Sequence, residues 1–232
     1  MINPRQERIL AAIVKEYVKS AQPVASRTLV EKYDFAVSPA TIRNDMVTLE
    51  EAGLLRQPHT SAGRIPSEEG YRYYLDRFVH GKKPPIVKVK LTITPVAPKD
   101  PKHFLRQITK ALTKVSGETS FVSTESGWHY YTGVSRLFDK PEFNDVESMR
   151  SISRIVDQFD EVIQDLAPRL DEKVNVWIGE KNPFGAPLAT MMLKFEAPLH
   201  KGVLGIVGPQ RMDYAKNIKL LRDARQALSR NV

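Results

Sequence analysis

Between Ser38 and Leu55 the chain reads SPATIRNDMVTLEEAGLL, and its side chains fall into two sets when wound at about 100° per residue. Ile42, Met46 and Leu49 come together, with Asp45 and Ala52 at the edge of their face. The opposite face shows Ala40, Asn44, Val47 and Glu51, flanked by Arg43 on one side and by Thr41 and Thr48 on the other. A face turned only to water is usually filled with Glu and Lys. This one mixes a guanidinium, an amide, small residues and an apolar group, which suits the base edges of a major groove. Arg can grip guanine O6 and N7, Asn can grip adenine N6 and N7, and Ala, Val or a Thr methyl can meet the thymine methyl.

The elements that must position this face are legible on either side of it. Asn3 caps a first helix, Pro4 takes the first helical position, and Gln6 completes a capping box. That helix runs to about Lys19 and buries a stripe of Ile9, Leu10, Ile13, Val14 and Tyr17. A shorter second helix begins near Ser26 and turns Leu29, Val30 and Tyr33 inward. The third helix is capped by Ser38, starts at Pro39 and stops at Gly53. A short helix, a turn and a polar-faced helix make a helix-turn-helix. LLRQPH and GRIP then read as the two strands of a wing around Thr60, Ser61, Ala62 and Gly63, the glycine being expected to supply a backbone angle other residues resist. Ser67 caps a closing helix whose Tyr71, Tyr74, Leu75 and Phe78 share a face, read as core packing in preference to base stacking.

A chain of 232 residues with 41% hydrophobic content suits two modest cores. No apolar run approaches the roughly 18 to 20 residues of a membrane span, and ILAAIV follows a charged NPRQER, so a cytosolic protein is expected. The absence of cysteine excludes disulfides, thiol nucleophiles and cysteine-ligated zinc, and the five scattered histidines point to no metal and no cofactor. The net charge of +8 suggests a polyanionic partner. Residues 1 to 80 hold 11 basic and 10 acidic side chains, residues 81 to 114 hold 9 and 1, and residues 115 to 232 hold 15 and 16. The excess therefore sits in the middle, beginning with a basic, proline-rich linker over 81–99 that serves either as a solvated connector or as a phosphate-contacting arm.

The remainder, 100–232, reads as a second α/β domain. Its helix from Lys102 to Val115 precedes a strand TSFVST, a helical tract follows from about Val146 to Leu170, and KVNVWIG, LATMMLKFEA and GVLGIVG are strands. A last helix turns Ile218, Leu221, Ala224 and Leu228 inward, with Asp213 capping or packing near its start. GVLGIVG lies within a strand pattern and lacks the phosphate-binding glycine spacing, and no hydrolase, metalloprotease or P-loop motif occurs, so no catalytic residue is expected. Glu180 and Asn182 read as a polar loop between strands, with a ligand pocket as the alternative.

The segments PVASRTLVEKY, VSPATIRNDMVTLEEAGLL and PHTSAGRIPSEEGYRYYLDRF resemble the winged helix-turn-helix of the HrcA family of heat-inducible transcription repressors. YYTGVSRLFDKPEF, WIGEKNP and GVLGIVGPQRMDYAKNI are similar to that family's carboxy-terminal, GAF-like domain. The resemblance implies an α+β protein with a DNA-binding domain over 1–80 and a shortened GAF-like domain over 100–232, reading an inverted-repeat operator in double-stranded DNA as a homodimer. It further implies chaperone operons as targets and a GroEL-type chaperonin as partner. Carried onto this sequence, base contacts fall to Thr41, Arg43, Asn44 and Thr48, wing contacts to His59, Thr60, Ser61 and Arg64, and phosphate contacts to Ser26, Arg27 and Thr28 at a helix amino end. One departure stands out: between FVSTES and WHYYTG, where the family carries a long segment with a sheet strand and a dimerisation domain, this chain has only Gly127. The alternatives are a winged helix that binds protein, and a ligand-binding sensor without operator affinity.

Overall fold

The computed structural model describes residues 2–60, 62–81, 86–92, 101–171, 173–197 and 200–230. The chain divides into two compact units, Met1–Ile86 and Val87–Val232.

In the first unit, helix α1 spans Pro4–Ser20, and both halves of its capping box are made by Asn3 and Gln6. Ile9, Leu10, Ile13 and Val14 are buried as the periodicity requires, whereas Tyr17 is half-buried. Helix α2 is Ser26–Lys32 and α3 is Pro39–Glu51. The Ser38 hydroxyl accepts the Thr41 amide at the start of α3, and Gly53, at φ +74°, follows its last turn. The strands β1, Leu55–Arg56, and β2, Ile65–Pro66, pair antiparallel as the wing, and α4, Glu68–Tyr74, continues into a π-helical turn over Leu75–Val79. Tyr71, Tyr74 and Leu75 are buried and Phe78 half-buried, with Tyr74 and Phe78 ring to ring at 5.6 Å.

Two buried carboxylates tie the helices together. Asp45 of α3 accepts from Arg5 at 2.8 and 3.3 Å and from Gln6 at 3.1 Å, which pins α3 to the start of α1. Glu16 of α1 accepts from Lys32 and from the Tyr33 hydroxyl at 3.0 Å, which pins the end of α2. A buried carboxylate is costly unless paired and hydrogen-bonded, so each fixes its geometry strongly.

The second unit is built on a five-stranded, wholly antiparallel sheet in the order β4-β3-β7-β6-β5. Its elements in chain order are α5 (Pro101–Ser116), β3 (Thr119–Thr124), β4 (His129–Thr132), α6 (Ser135–Phe138), α7 (Val146–Asp157), α8 (Phe159–Leu166), β5 (Asn175–Ile178), β6 (Leu188–Ala197), β7 (His200–Pro209) and α9 (Tyr214–Arg230). With the helix-rich first unit, this makes the chain α+β. Phe121, Leu188, Met192, Val203 and Val207 on one sheet face pack with Leu137, Phe143, Ile152, Phe159 and Ile163 from α6 to α8. On the other face lie α5 and α9, which also touch each other.

Two differences from the sequence reading have local causes. The tract from Val146 breaks at Gln158 and ends in a 3-10 turn at Ala167–Arg169, where Pro168 cannot continue an α-helix. The strand β4 is an edge strand whose four residues are all half-buried, so no alternation of polar and apolar residues marks it in the sequence.

Candidate nucleic-acid interface

Ile42, Asp45, Met46 and Leu49 face the core, leaving Arg43, Asn44, Val47 and Thr48 exposed and Thr41 half-buried on α3. Among the described residues, neither the Arg43 guanidinium nor the Asn44 amide has a hydrogen-bond partner, so both forks remain available to an incoming acceptor or donor. The Thr48 hydroxyl donates to the Asn44 carbonyl at 3.3 Å, which leaves its methyl as the outward group. Thr41 Oγ1 is 3.0 Å from Ser38 Oγ and belongs to the cap.

The wing is fastened to the last turn of α3 by Glu50. One carboxylate oxygen accepts the Gln57 backbone amide at 3.0 Å, and the other accepts Arg64 Nε at 2.9 Å and Nη2 at 2.8 Å. The Gln57 amide in turn donates to the carbonyls of Thr60 at 2.8 Å and Ala62 at 3.0 Å across the loop. On its other side the wing meets the chain before α2, where Val24 and Arg64 exchange two backbone hydrogen bonds of 2.9 and 3.0 Å. The exposed helix face and the wing are thus parts of one hydrogen-bonded assembly.

This geometry revises two sequence expectations. The Arg64 side chain is only 14% exposed and engaged with Glu50, so its part is to hold the wing in place. The exposed wing cation is Arg56 on β1, for which no carboxylate partner exists among the described residues; its neighbour Gln57 is inward, and only the alternation along β1 could have separated them. Gly63 does not adopt a positive φ. Its glycine is required instead by close approach, since a Cβ there would lie 2.3 Å from the Val24 carbonyl oxygen. His59 and Thr60 are exposed at the loop, and Ser61 lies outside the described residues.

At the amino end of α2 the capping position is Ala25, which provides no side-chain acceptor, so the first-turn amides of Ser26, Arg27 and Thr28 face no capping oxygen. Arg27 pairs with Glu31 at 3.0 Å, but both side chains are more than half exposed, and such a pair yields readily to a phosphate. The near balance of 11 basic and 10 acidic side chains in residues 1–80 is therefore misleading about this surface. Asp45, Glu16, Glu50 and Glu7 are consumed in pairs within the fold, while Arg43 and Arg56 stay outward.

In the second unit the polar loop reading of Asn182 holds at the level of its contacts. Its amide donates to Thr190 Oγ1 at 3.0 Å and its carbonyl accepts the Phe184 amide at 2.8 Å, so it braces the turn between β5 and β6. Glu180 is exposed in the same turn. Asp213 accepts the Lys216 amide at 3.0 Å and caps α9.

The outward fork of α3, braced to a wing, defines a winged helix-turn-helix protein carrying a second, α+β domain. Residues 5–68 match the model of a DeoR-like helix-turn-helix domain, and residues 67–218 match that of the HrcA protein C-terminal domain. The chain belongs to the HrcA family. A relative named heat-inducible transcription repressor HrcA, from Carboxydothermus hydrogenoformans, is 63% identical over 76 residues, which are 33% of this chain and 22% of that protein's length. Another of the same name, from Halalkalibacterium halodurans, is 27% identical over 335 aligned positions, covering 99% of this chain and 97% of the relative. Because this chain brings only 232 residues to that alignment, over a hundred positions of the relative have no counterpart here. The crystal structure of a hypothetical protein at 2.2 Å resolution superposes with a TM-score of 0.84 at 18% identity, covering 99% of this chain and 98% of that one. The curated relatives are named as transcription repressors, a class of regulators and not of enzymes. No helix among the described residues is long and apolar enough to cross a membrane.

Proposed function

We propose that this chain is a sequence-specific DNA-binding repressor that reads an inverted-repeat operator in double-stranded DNA as a homodimer in the cytoplasm. The observation that carries the reading is the exposed Arg43–Asn44 fork on a helix whose last turn is tied to the wing by Glu50. Arg43 and Asn44 take bidentate base contacts, Thr48 and Val47 meet thymine methyls, and Thr41 sits at the helix start where the backbone approaches. His59, Thr60 and Ser61 form the wing contacts with Arg56 as their cation, and Ser26, Arg27 and Thr28 hold phosphate at α2. Chaperone operons as targets, and a GroEL-type chaperonin that keeps the repressor active, follow from the heat-inducible naming of the relatives and from the family resemblance. A twofold operator needs two reading heads, and the larger second domain offers the area an obligate pair requires.

Selection from a pool of random duplexes tests this reading. Enrichment of an inverted repeat, bound with one dimer per duplex by light scattering, is expected. Recovery of no enriched sequence, or a full-length protein that stays monomeric on DNA, would refute it.

A further inference from the structure

The helices of the second unit separate its charge. Helix α5 carries Lys102, Arg106, Lys110 and Lys114 and no acid, and α9 carries five basic residues against Asp223, which is paired with Lys219 at 2.5 Å. These two helices touch and lie on one face of the sheet. The segment 135–166, which covers the other face, has four basic and eight acidic residues. Counted along the chain, residues 115–232 look neutral at 15 basic and 16 acidic, because elements that fold onto opposite faces are averaged together.

The four α5 cations are exposed and recur every four residues, a spacing of about 6 Å along the helix and about 18 Å from first to last. Two are held over aromatic rings: the Arg106 guanidinium lies 5.7 Å from the Trp128 ring and 5.8 Å from that of Tyr130, and the Lys102 ammonium lies 5.9 Å from Trp128. Ring faces keep such cations extended along the surface, which lowers the entropy lost when they meet an anion. Arg106, Lys110, Lys114 and the exposed Arg222 of α9 have no carboxylate partner among the described residues. His103 and Gln107, on the same helix, are bonded to each other at 3.0 Å.

We propose that this face is a second DNA-contacting surface, which grips the phosphates of duplex DNA without reading bases. The proposal rests on the reading that the first unit binds DNA. A regular row of cations fits a regular row of anions, and about 18 Å of duplex axis carries roughly ten phosphate charges. A flexible acidic protein segment holds no such fixed repeat. The face offers cations and no free amide fork, so it adds affinity and salt dependence and leaves sequence choice to α3.

The test uses the full chain with Arg106→Gln, Lys110→Gln, Lys114→Gln and Arg222→Gln combined, its melting curve checked against wild type. Binding to a mixed-sequence duplex of about 40 base pairs is followed by fluorescence anisotropy across a salt series. The plot of log affinity against log salt should flatten by about 3.6 units, since each of the four lost phosphate contacts removes about 0.9. Asn44→Ala should keep the wild-type slope and lose only its preference for the selected operator. If the fourfold variant keeps both the slope and the affinity while Asn44→Ala loses operator preference, this inference fails and the proposed function stands. If the slope flattens but wild type prefers no sequence, the reverse holds. Labelled polyglutamate provides the other arm: binding as tight as that of DNA, lost in the fourfold variant, would reassign the face to an acidic protein partner and overturn the proposal.

Discussion

Removing the Glu50 carboxylate asks whether the reading helix and the wing behave as one piece. In Glu50→Ala, the Arg64 guanidinium loses two contacts of 2.8 and 2.9 Å and is left with a side chain only 14% exposed, while the Gln57 amide loses its acceptor at 3.0 Å. A hydrogen bond to a charged group contributes about 1.5 to 3 kcal/mol, most of it retained where the partner stays shielded, and the more accessible amide adds about 0.5 to 1. Water reaches Glu50, which is a third exposed, so the total is best placed at about 2 to 3 kcal/mol. Since about 1.4 kcal/mol is a factor of ten, wing opening should rise by roughly 30- to 150-fold, and operator affinity should fall by a comparable factor if binding needs the closed wing. The Arg27–Glu31 pair, exposed on both sides, is the control: Glu31→Ala should change stability by less than about 0.5 kcal/mol. Hydrogen exchange at the Gln57 and Ala62 amides reads the opening, and urea unfolding of Glu50→Ala, Arg64→Ala and the double variant gives the coupling energy. A coupling below about 0.5 kcal/mol, with Gln57 exchanging at the wild-type rate, would refute the claim that this pair holds the wing.

Three further predictions are independent of that pair. Asn44→Ala should lose discrimination at one adenine by about 1 to 3 kcal/mol while weak binding to scrambled duplexes survives, as equilibrium binding to both duplexes will show. Gly63→Ala should push the wing away from Val24, whose carbonyl oxygen would lie 2.3 Å from the new Cβ, and should be seen as loss of amide protection at Val24 and Arg64 with α1 intact. The Glu16–Lys32–Tyr33 cluster should impose pH limits at both ends. The hydrogen bond from Lys32 holds the Glu16 carboxyl below its ordinary 4.5, so the stability it supplies is complete above pH 4.5 and lost as pH falls through the lowered value. Burial, aided by Glu16, pushes the Tyr33 phenol up to about 12 from 10, so that contribution is complete below pH 10 and lost as pH rises through 12. Thermal melts of Glu16→Gln should flatten both limbs; an unchanged acid limb would exclude Glu16 as its source.

The parts legible in the sequence were those whose cause lies within a few residues. The Asn3–Gln6 capping box, the Ser38 cap with Pro39 behind it, and the inward row of Ile42, Met46 and Leu49 all appear as read, because caps and helical periodicity are local rules. The strand TSFVST was equally plain, with both its faces covered. What was hidden depends on contacts between residues far apart in the chain. Nothing around Asp45 announces that Arg5 and Gln6, some forty residues away, will bury its carboxylate. Arg64 was assigned to DNA by its place in the wing, and only the fold shows Glu50 occupying its guanidinium. For the same reason α9's share of the basic face was hidden, although the charge of α5 was legible: the two helices lie a hundred residues apart, and a running charge count dilutes α9 with the acids of 135–166.

The turn at Gly127, where the family resemblance places a long segment, shows how β3 and β4 are joined without one. Strands β3 and β4 are adjacent and antiparallel, and they are joined through 125–128 by a turn that satisfies itself: Gly127 donates to the Thr124 carbonyl at 3.0 Å, Thr124 and Trp128 exchange backbone and hydroxyl hydrogen bonds of 2.8 to 3.2 Å, and Gly127 adopts φ +79° with open space around it. The strand ends at such a hairpin are already close, so inserting or removing a segment between them changes only the entropy of closing a loop, which grows slowly with length. The register of β3 with β7, from Thr119 opposite Val207 to Thr124 opposite Gly202, does not depend on what the hairpin carries. On that expectation the five-stranded sheet is closed by this turn without the segment's strand or its dimerisation surface. On the proposed reading, two heads must still be paired for a twofold operator, and the pairing then falls to surfaces that the sheet and its covering helices already possess.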